Sequence, residues 1–278
     1  MKNIFLLLIV TIALLSSSCN TPRYVYGASP VNNPYFTEKG DAKLTGYYSG
    51  GESAGGGLNH GVDVSAAYAF ADGWAITGAY YNRREEDVFN ADDFFDSSTV
   101  SYKRNLWEAG IGFFQPLNTK KTITFNMYAG YANGKFSIDD KGTDLVSGSG
   151  TVPYTRFHDA KINKWYIQPS INFMPSKYFH LSLAGRLSFV HYGKVSTSYT
   201  KPELANYYLN KIDGKTSIYF EPCLNMQAGL PKVNWAFVDF CLSGATRKVG
   251  EYPSVRGLNL SIGLTFKLSG KRTFSDVK

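Results

Sequence analysis

Two histidines lie close to a carboxylate in the sequence, a combination that general-base catalysis uses. His60 lies three positions before Asp63, and His158 directly precedes Asp159. Neither pair has Asp-x-His spacing, and a histidine beside a strand end usually bonds to a loop. No two His or Cys residues have the spacing of zinc ligands. We therefore expect no catalytic residue, no metal site and no cofactor.

Two cysteines, Cys223 and Cys241, are equidistant from Lys232, the centre of a tight turn between two alternating segments. In a symmetric antiparallel hairpin they face each other, with Cβ atoms about 4.5–5.5 Å apart. A disulfide needs Cβ atoms about 3.5–4.5 Å apart and so requires a modest adjustment. The sequence is consistent with either a disulfide or two buried free thiols.

Charged side chains recur on the polar faces of the alternating segments. A closed sandwich core could not hold so many charges, whereas a barrel lumen holds charges that pair or contact water. The hairpin register given above places Asn225 near Asp239 and Glu221 near Ser243. We expect a lumen charge network formed by Arg104, Glu108, Lys164, Arg186, Glu221 and Asp239. Its function would be either to fill the interior or to line a narrow polar passage.

The elements that must position these residues are about ten segments in which polar and apolar side chains alternate with period two. In the last segment Leu258 and Phe266 share one face, while Asn259 and Thr265 share the other. Most of these segments are longer than the strands of soluble sandwiches, which have about 5–6 residues. The segments span roughly residues 41–50, 58–71, 74–85, 101–115, 121–138, 155–173, 178–199, 215–230, 234–248 and 257–268.

The connections alternate between tight turns and longer polar loops. The tight turns are Ala71–Gly73, Leu117–Lys120, Pro175–Lys177 and Pro231–Val233, and the longer loops are 52–57, 86–98, 139–154, 201–214 and 249–256. Outer-membrane barrels have short periplasmic turns and long extracellular loops. We predict an all-β, single antiparallel up-and-down transmembrane β-barrel of about ten strands. A lipid-tethered periplasmic β-sandwich is the alternative.

Composition supports this class. The chain has 278 residues, of which 44% are hydrophobic, 15% aromatic and 18% charged, and this excludes a disordered protein. After residue 20 no stretch reaches the ~18 uninterrupted apolar residues that a membrane-spanning helix requires. The net charge of +7 is spread along the chain. We expect it to contact anionic lipid head groups and not nucleic acid.

The N-terminus has the pattern of an export signal. Lys2 is followed by an apolar stretch from Ile4 to Leu15 and then by Ser16-Ser17-Ser18-Cys19. Small residues before Cys19 predict that it carries the lipid, while the alternative is an ordinary signal peptide cut near Ser18 or Cys19. The expected organisation is a signal peptide (1–18), a lipidated arm (19–40), the barrel (41–268) and a periplasmic tail (269–278). An even number of strands places the lipid in the periplasmic leaflet.

The segment SSSCN, the following TPRYVYGASPVNNPYFTEKGD and a barrel that begins near KLTGYYS resemble outer-membrane β-barrel lipoproteins of Bacteroidota. The motifs cover the first 50 residues, and the remainder is similar only in pattern. This resemblance implies a location and a fold. It implies no catalytic residues.

The function expected from these features is a non-enzymatic structural or interaction role in the cell envelope. The expected partners are outer-membrane lipid and an envelope protein bound through residues 20–40 or the extracellular loops. One alternative is a narrow passage for small solutes, although about eight strands are already filled by side chains and channels need about 16–18. Another is a hydrolase at the extracellular rim, near His60 and His158. Whether residues 20–40 enter the lumen decides the first alternative.

Overall fold

A computed structural model describes residues 23–51, 53, 57–89, 97–146, 150–230, 233–246 and 254–268. The strands are β1 (Tyr24–Gly27), β2 (Ala42–Gly51), β3 (Asn59–Ala71), β4 (Trp74–Phe89), β5 (Ser98–Pro116), β6 (Ile123–Val146), β7 (Gly150–Phe173), β8 (Phe179–Thr197), β9 (Thr216–Leu230), β10 (Val233–Gly244), β11 (Ser254–Arg256) and β12 (Leu258–Leu268). Helix α1 (Lys201–Asn206) and a 3₁₀ turn (Leu209–Lys211) follow β8. Within the described ranges, no helix is long and apolar enough to cross a membrane.

Ten of these strands, β2 to β10 and β12, form a closed barrel in which neighbouring strands are antiparallel. The barrel closes where β12 pairs with both β2 and β10. Closure pairs the backbone N–H and C=O groups that an open sheet edge would leave exposed. The predicted ten-stranded antiparallel barrel is therefore confirmed. Strands β1 and β11 form a separate two-stranded parallel sheet.

The two faces of the barrel wall differ as the alternation predicts. On β12, Leu260 is 59% exposed on the outside, whereas Thr265 is fully buried inside. The outer surface also carries a row of aromatic side chains, Trp107, Tyr131 and Trp165, with ring centroids 5.8 and 4.7 Å apart. We call this row the upper aromatic girdle.

The two ends of the barrel are unlike. At one end the strands meet in tight turns, such as Asp72–Gly73 between β3 and β4, where Gly73 adopts a φ of 73°. We call it the short-turn end and the opposite one the long-loop end. Residues 139–154, predicted as a loop, are mostly strand, because β6 continues to Val146 and β7 begins at Gly150. Strands β5 to β8 therefore project beyond the upper aromatic girdle.

Residues 23–37, which we call the lumen arm, run through the barrel interior. Arg23 contacts Asp140 near the long-loop end, and Phe36 packs on Phe114 near the short-turn end. The chain then reverses at Gly40, whose φ of 88° favours glycine, and enters β2. The described start of the arm therefore lies at the long-loop end. This is the end opposite to the short-turn side, on which the sequence predicts the lipid of Cys19, a residue outside the described ranges.

The β9–β10 hairpin is not symmetric about Lys232, because its register shifts between Val233 and Phe237. Cys241 pairs with Asn225, and Cys223 pairs with Ser243. The cysteines are thus diagonal neighbours and not directly opposite. Glu221 pairs directly with Arg186 of β8, and Ser243 of β10 is its diagonal neighbour, so the predicted register is wrong although the predicted residues remain neighbours.

Candidate functional site

The ends of the lumen arm pack against the barrel wall through aromatic side chains. Tyr26 stacks on Tyr219 with ring centroids 4.2 Å apart, and Val25 is fully buried beside them. At the other end Phe36 meets Phe114 edge-on at 5.9 Å. Each fully buried side chain of this size stabilises the folded state by about 1.5–3 kcal/mol. The arm is therefore an internal part of the barrel core.

The middle of the arm is polar and is held by side chains from the wall. Asn33 donates to Asn172 Oδ1 at 2.8 Å and accepts from the Ser170 hydroxyl at 2.8 Å. The backbone carbonyl of Asn32 accepts from Gln168 Nε2 at 3.1 Å. Buried polar groups need hydrogen-bond partners, so these contacts specify one path for the chain.

Four of the predicted lumen charges come together around the arm. Glu108 pairs with Lys164, and Arg186 Nη1 lies 3.1 Å from Glu108 Oε2. Lys164 Nζ and Arg186 Nη1 each lie 3.9 Å from Glu221, which also accepts a 2.8 Å hydrogen bond from the Tyr26 hydroxyl of the arm. Two carboxylates and two cations balance in this buried cluster. The Tyr26 hydroxyl of the arm adds a hydrogen bond to this cluster.

Arg104 belongs to a different cluster, nearer the long-loop end. It pairs with Glu85 and donates to the backbone carbonyl of Gly27 at 2.8 Å. Arg256 Nε lies 2.8 Å from Glu85 Oε2, and its Nη2 lies 2.9 Å from Asp87 Oδ2. Sequence reasoning missed Asp87 and Arg256 because both fall in segments predicted as loops.

Asp239, the sixth predicted charge, lies near the short-turn end among neutral donors. Its carboxylate accepts from Gln227 Nε2 at 2.6 Å and from Thr265 Oγ1 at 2.7 Å. Asn225 donates to it as well. The predicted single network is therefore three separate groups along the lumen.

Cys223 and Cys241 are both free thiols and buried, with sulfur atoms 3.2 Å apart. They pack against Val31 of the arm and Tyr47 of β2. The disulfide stays a prediction, and the diagonal register still brings the two sulfurs together.

The two histidine–carboxylate pairs do not form sites, because neighbours in a strand point to opposite faces. His60 is exposed outside, whereas Asp63 is buried inside and pairs with Arg83 at 2.7 Å. His158 is buried inside, and Asp159 is exposed outside. Among the described residues, no cluster of His, Cys, Asp or Glu could hold a metal ion.

A Gly-x-Ser-x-Gly spacing, from Gly51 to Gly55, was missed at the sequence level. In hydrolases this motif makes a sharp turn from a strand into a helix. Here Ser53 lies between two strands, β2 and β3, and its hydroxyl donates to the Gly57 carbonyl at 2.5 Å. The described residues on the two sides of the motif therefore lead from one strand to the next, and not into a helix as a nucleophile elbow does.

The arm is clamped at the long-loop end. Arg23 stacks over the Tyr207 ring at 4.2 Å and pairs with Asp140 at 2.8 Å. The Tyr199 hydroxyl donates to the same carboxylate at 2.7 Å. Burial and the nearby Asp140 carboxylate raise the pKa of Tyr199 well above its ordinary value, so the hydroxyl remains a donor at physiological pH.

The short-turn end has a cavity of about 500 Å³. Lys120, Lys121, Lys177, Lys267 and His180 line it together with Tyr35 and Phe36 of the arm. Lys267 Nζ lies 2.7 Å from His180 Nδ1 and 4.2 Å from the Tyr35 ring centroid. The arm borders this cavity and occupies the lumen next to it.

No model of a known protein family matches the sequence, and no curated protein sequence matches it. Among solved structures, the chain is similar to the outer membrane protease OmpT from Escherichia coli, with 10% identity, a TM-score of 0.43, and 83% of this chain and 94% of that chain covered. It is also similar to the translocator domain of autotransporter NalP from Neisseria meningitidis, with 10% identity, a TM-score of 0.47, and 83% of this chain and 89% of that chain covered. A third similar structure is the attachment invasion locus protein Ail of Yersinia pestis, with 11% identity, a TM-score of 0.30, and 83% of this chain and 99% of that chain covered. These values are too low to indicate a function.

Proposed function

We propose that this chain is an integral outer-membrane protein whose lumen is filled by its own arm, with a structural or interaction role and no enzymatic activity. The outward face supports the location. On β12 every second residue from Leu258 to Leu268 is apolar, over a strand of 11 residues. Tilted by about 35–45°, such a strand crosses the ~25 Å apolar band of an outer-membrane barrel. The short-turn end then faces the periplasm.

The single observation that carries the non-transport role is the occupied lumen. Val25, Val31 and Asn33 are each at most 1% exposed, and they lie at successive levels of the arm. A solute would have to displace the aromatic, polar and charged contacts that hold these levels. The arm thus acts as a structural core for a barrel of small diameter.

Planar bilayer recordings test this role. The folded wild-type protein should show no steady conductance, because the arm blocks the lumen. A variant with a loosened arm, Tyr26→Ala combined with Arg23→Ala, should show intermittent conductance. Steady conductance of the wild type, with folding checked by heat-modifiable gel mobility, would favour the alternative of a solute passage. Hydrolase activity that His60→Ala or His158→Ala removes would favour the enzyme.

The interaction surface that we propose is the long-loop end. Of residues 20–40, the lumen arm lies inside the barrel and does not offer a docking surface. At the long-loop end, Arg156 connects Asp144 at 2.7 Å with Glu203 of α1 at 2.6 Å. A photo-crosslinker at the exposed Lys201 should give a specific adduct with an envelope protein, whereas one at Lys177 should not. Equal adducts at both positions would contradict this surface.

We also propose that Cys19, which lies outside the described residues, carries a lipid, as in the outer-membrane lipoproteins of Bacteroidota that the N-terminus resembles. Arg23, four positions after Cys19, pairs with Asp140, which is about 55 Å along β6 from Ile123 at the short-turn end. We therefore propose that the acyl chains lie at the long-loop end and not in the periplasmic leaflet that the sequence predicts.

A further inference from the structure

Four lysines gather on the outside of β5 to β8, beyond the upper aromatic girdle. Lys135 and Lys161 face each other directly across β6 and β7. Lys103 pairs in register with Ser137 of β6, and Lys194 follows Gly193, the partner of Lys161 on β8. We call these four residues, Lys103, Lys135, Lys161 and Lys194, the outer lysine patch.

Part of this positive charge has no carboxylate to balance it. Lys103 pairs with Asp139 at 2.8 Å. Within the described part of the chain, no ion pair includes Lys135, Lys161 or Lys194. Like charges directly opposite across two strands destabilise a sheet. An anion between Lys135 and Lys161 would remove that repulsion.

A groove of about 410 Å³ lies among the four lysines. Asp159 also lines it and reduces the positive charge there. The Asp159 carboxylate, however, accepts a hydrogen bond from the Ser137 hydroxyl on the neighbouring strand. The groove has the size and charge for a phosphate group.

The patch lies at a defined height above the apolar band. Lys103, Lys135 and Lys161 are each four positions from a girdle residue, Trp107, Tyr131 and Trp165 respectively. Four positions are about 13 Å along a strand, or roughly 10 Å after tilt. Between the two rows lies a layer of amides, in which Asn133 Nδ2 donates to Asn163 Oδ1 at 2.7 Å. Because the rings of such a girdle lie at the head-group level, the patch lies on its solvent side, where only the polar part of a lipid extends.

A second groove lies directly below, on the membrane side of the girdle. It has a volume of about 590 Å³, and small residues such as Gly110, Ala129 and Gly130 form its floor. Trp165 and Ile167 line it as well. The two grooves share no lining residue, and the amide layer and the girdle separate them. A lipid that reaches both must therefore extend across this layer, with its head group at the basic groove and an acyl chain in the apolar one.

We propose that the outer lysine patch binds a phosphorylated glycolipid of the outer leaflet, with its phosphates between Lys135, Lys161 and Lys194 and one acyl chain in the lower groove. The proposal rests on the membrane orientation given under Proposed function. It adds a specific lipid site to that function. The site would recognise the lipid by the charge of its phosphates and by the position of one acyl chain in the lower groove.

Native mass spectrometry of the detergent-solubilised full chain tests the site, with bisphosphorylated lipid A and its dephosphorylated form as probes. The wild type should retain the phosphorylated lipid at least tenfold better. Lys135→Gln with Lys161→Gln should abolish this preference, whereas arginine at both positions should keep it. The matched control, Lys120→Gln with Lys177→Gln, removes the same charge at the short-turn end and should bind as the wild type does.

Equal retention of the two lipids, or equal loss in the control variant, would overturn the proposal. Inorganic phosphate that competes fully at millimolar concentration would also overturn it, because the site would then bind free phosphate. Folding of every variant is checked by heat-modifiable mobility. Failure of the orientation itself would appear separately, as loss of surface labelling at Lys201→Cys in intact cells.

Discussion

Arg23 and Asp140 form a buried ion pair between residues 117 positions apart, with Nη2 and Nε of Arg23 at 2.8 and 3.1 Å from Asp140 Oδ2. This pair joins the start of the lumen arm to the far end of β6. The neighbouring Tyr199 and Tyr207 enclose it. The pair therefore holds the described start of the arm at the long-loop end, in addition to the contacts further along the arm.

Arg23→Ala should destabilise the folded barrel by about 3–5 kcal/mol, because it leaves the Asp140 carboxylate buried without its cation. The measurement is equilibrium unfolding in detergent micelles, followed by tryptophan fluorescence. The matched control is Lys103→Ala, which removes an exposed pair with Asp139 worth about 0–1 kcal/mol. Equal losses in the two variants would show that the clamp does not hold the arm.

Gly27 of the arm has no room for a side chain. A Cβ there would lie 2.6 Å from Arg104 Nη1, whereas a Cβ at Gly46 of β2 would meet nothing within 4 Å. Gly27→Ala should therefore displace Arg104 and lower the temperature at which the barrel loses its compact gel mobility. Gly46→Ala should leave that temperature unchanged. A shift of the same size in both variants would contradict the close approach of the arm.

The strand pattern and the faces of the wall follow from the sequence because alternation with period two depends only on local chemistry. The β9–β10 register does not follow from the sequence, because the register shift between Val233 and Phe237 depends on how the two strands pair. Trp235 shows the effect. Strict alternation from Asp239 predicts it on the polar face, yet it is 51% exposed outside and stacks on Phe266 at 5.8 Å.

The path of the arm could not be predicted because residues 20–40 have no periodicity, and their partners are spread over most of the barrel. The pairing within the charge clusters could not be predicted either. Arg83, Glu85 and Asp87 alternate in the sequence, and this pattern could have extended the third predicted segment beyond residue 85. Their pairing with Arg104 and Arg256 depends on which strands meet across the lumen, and single-strand patterns contain no such information.

The two cysteines give a redox prediction. Their sulfurs are 3.2 Å apart, so mild oxidation of the folded protein should join them into a disulfide. Mass spectrometry of the peptides that contain Cys223 and Cys241, after alkylation in denaturant, should show two modified thiols before oxidation and none after it. Cys223→Ser should leave one modified thiol under both conditions. Two modified thiols after oxidation would show that the pair cannot close.

The last prediction concerns the side of the membrane on which the chain starts. Thr21 precedes by two residues Arg23, which pairs with Asp140 at the long-loop end. Thr21→Cys should react with a membrane-impermeant maleimide on intact cells, as should the exposed control Lys201→Cys. Lys177→Cys, at the short-turn end, should react only after the outer membrane is permeabilised. If Thr21→Cys behaves like Lys177→Cys while Lys201→Cys is labelled, the arm does not thread the lumen in this direction. If Lys201→Cys is also protected, the assignment of the short-turn end to the periplasm is wrong instead.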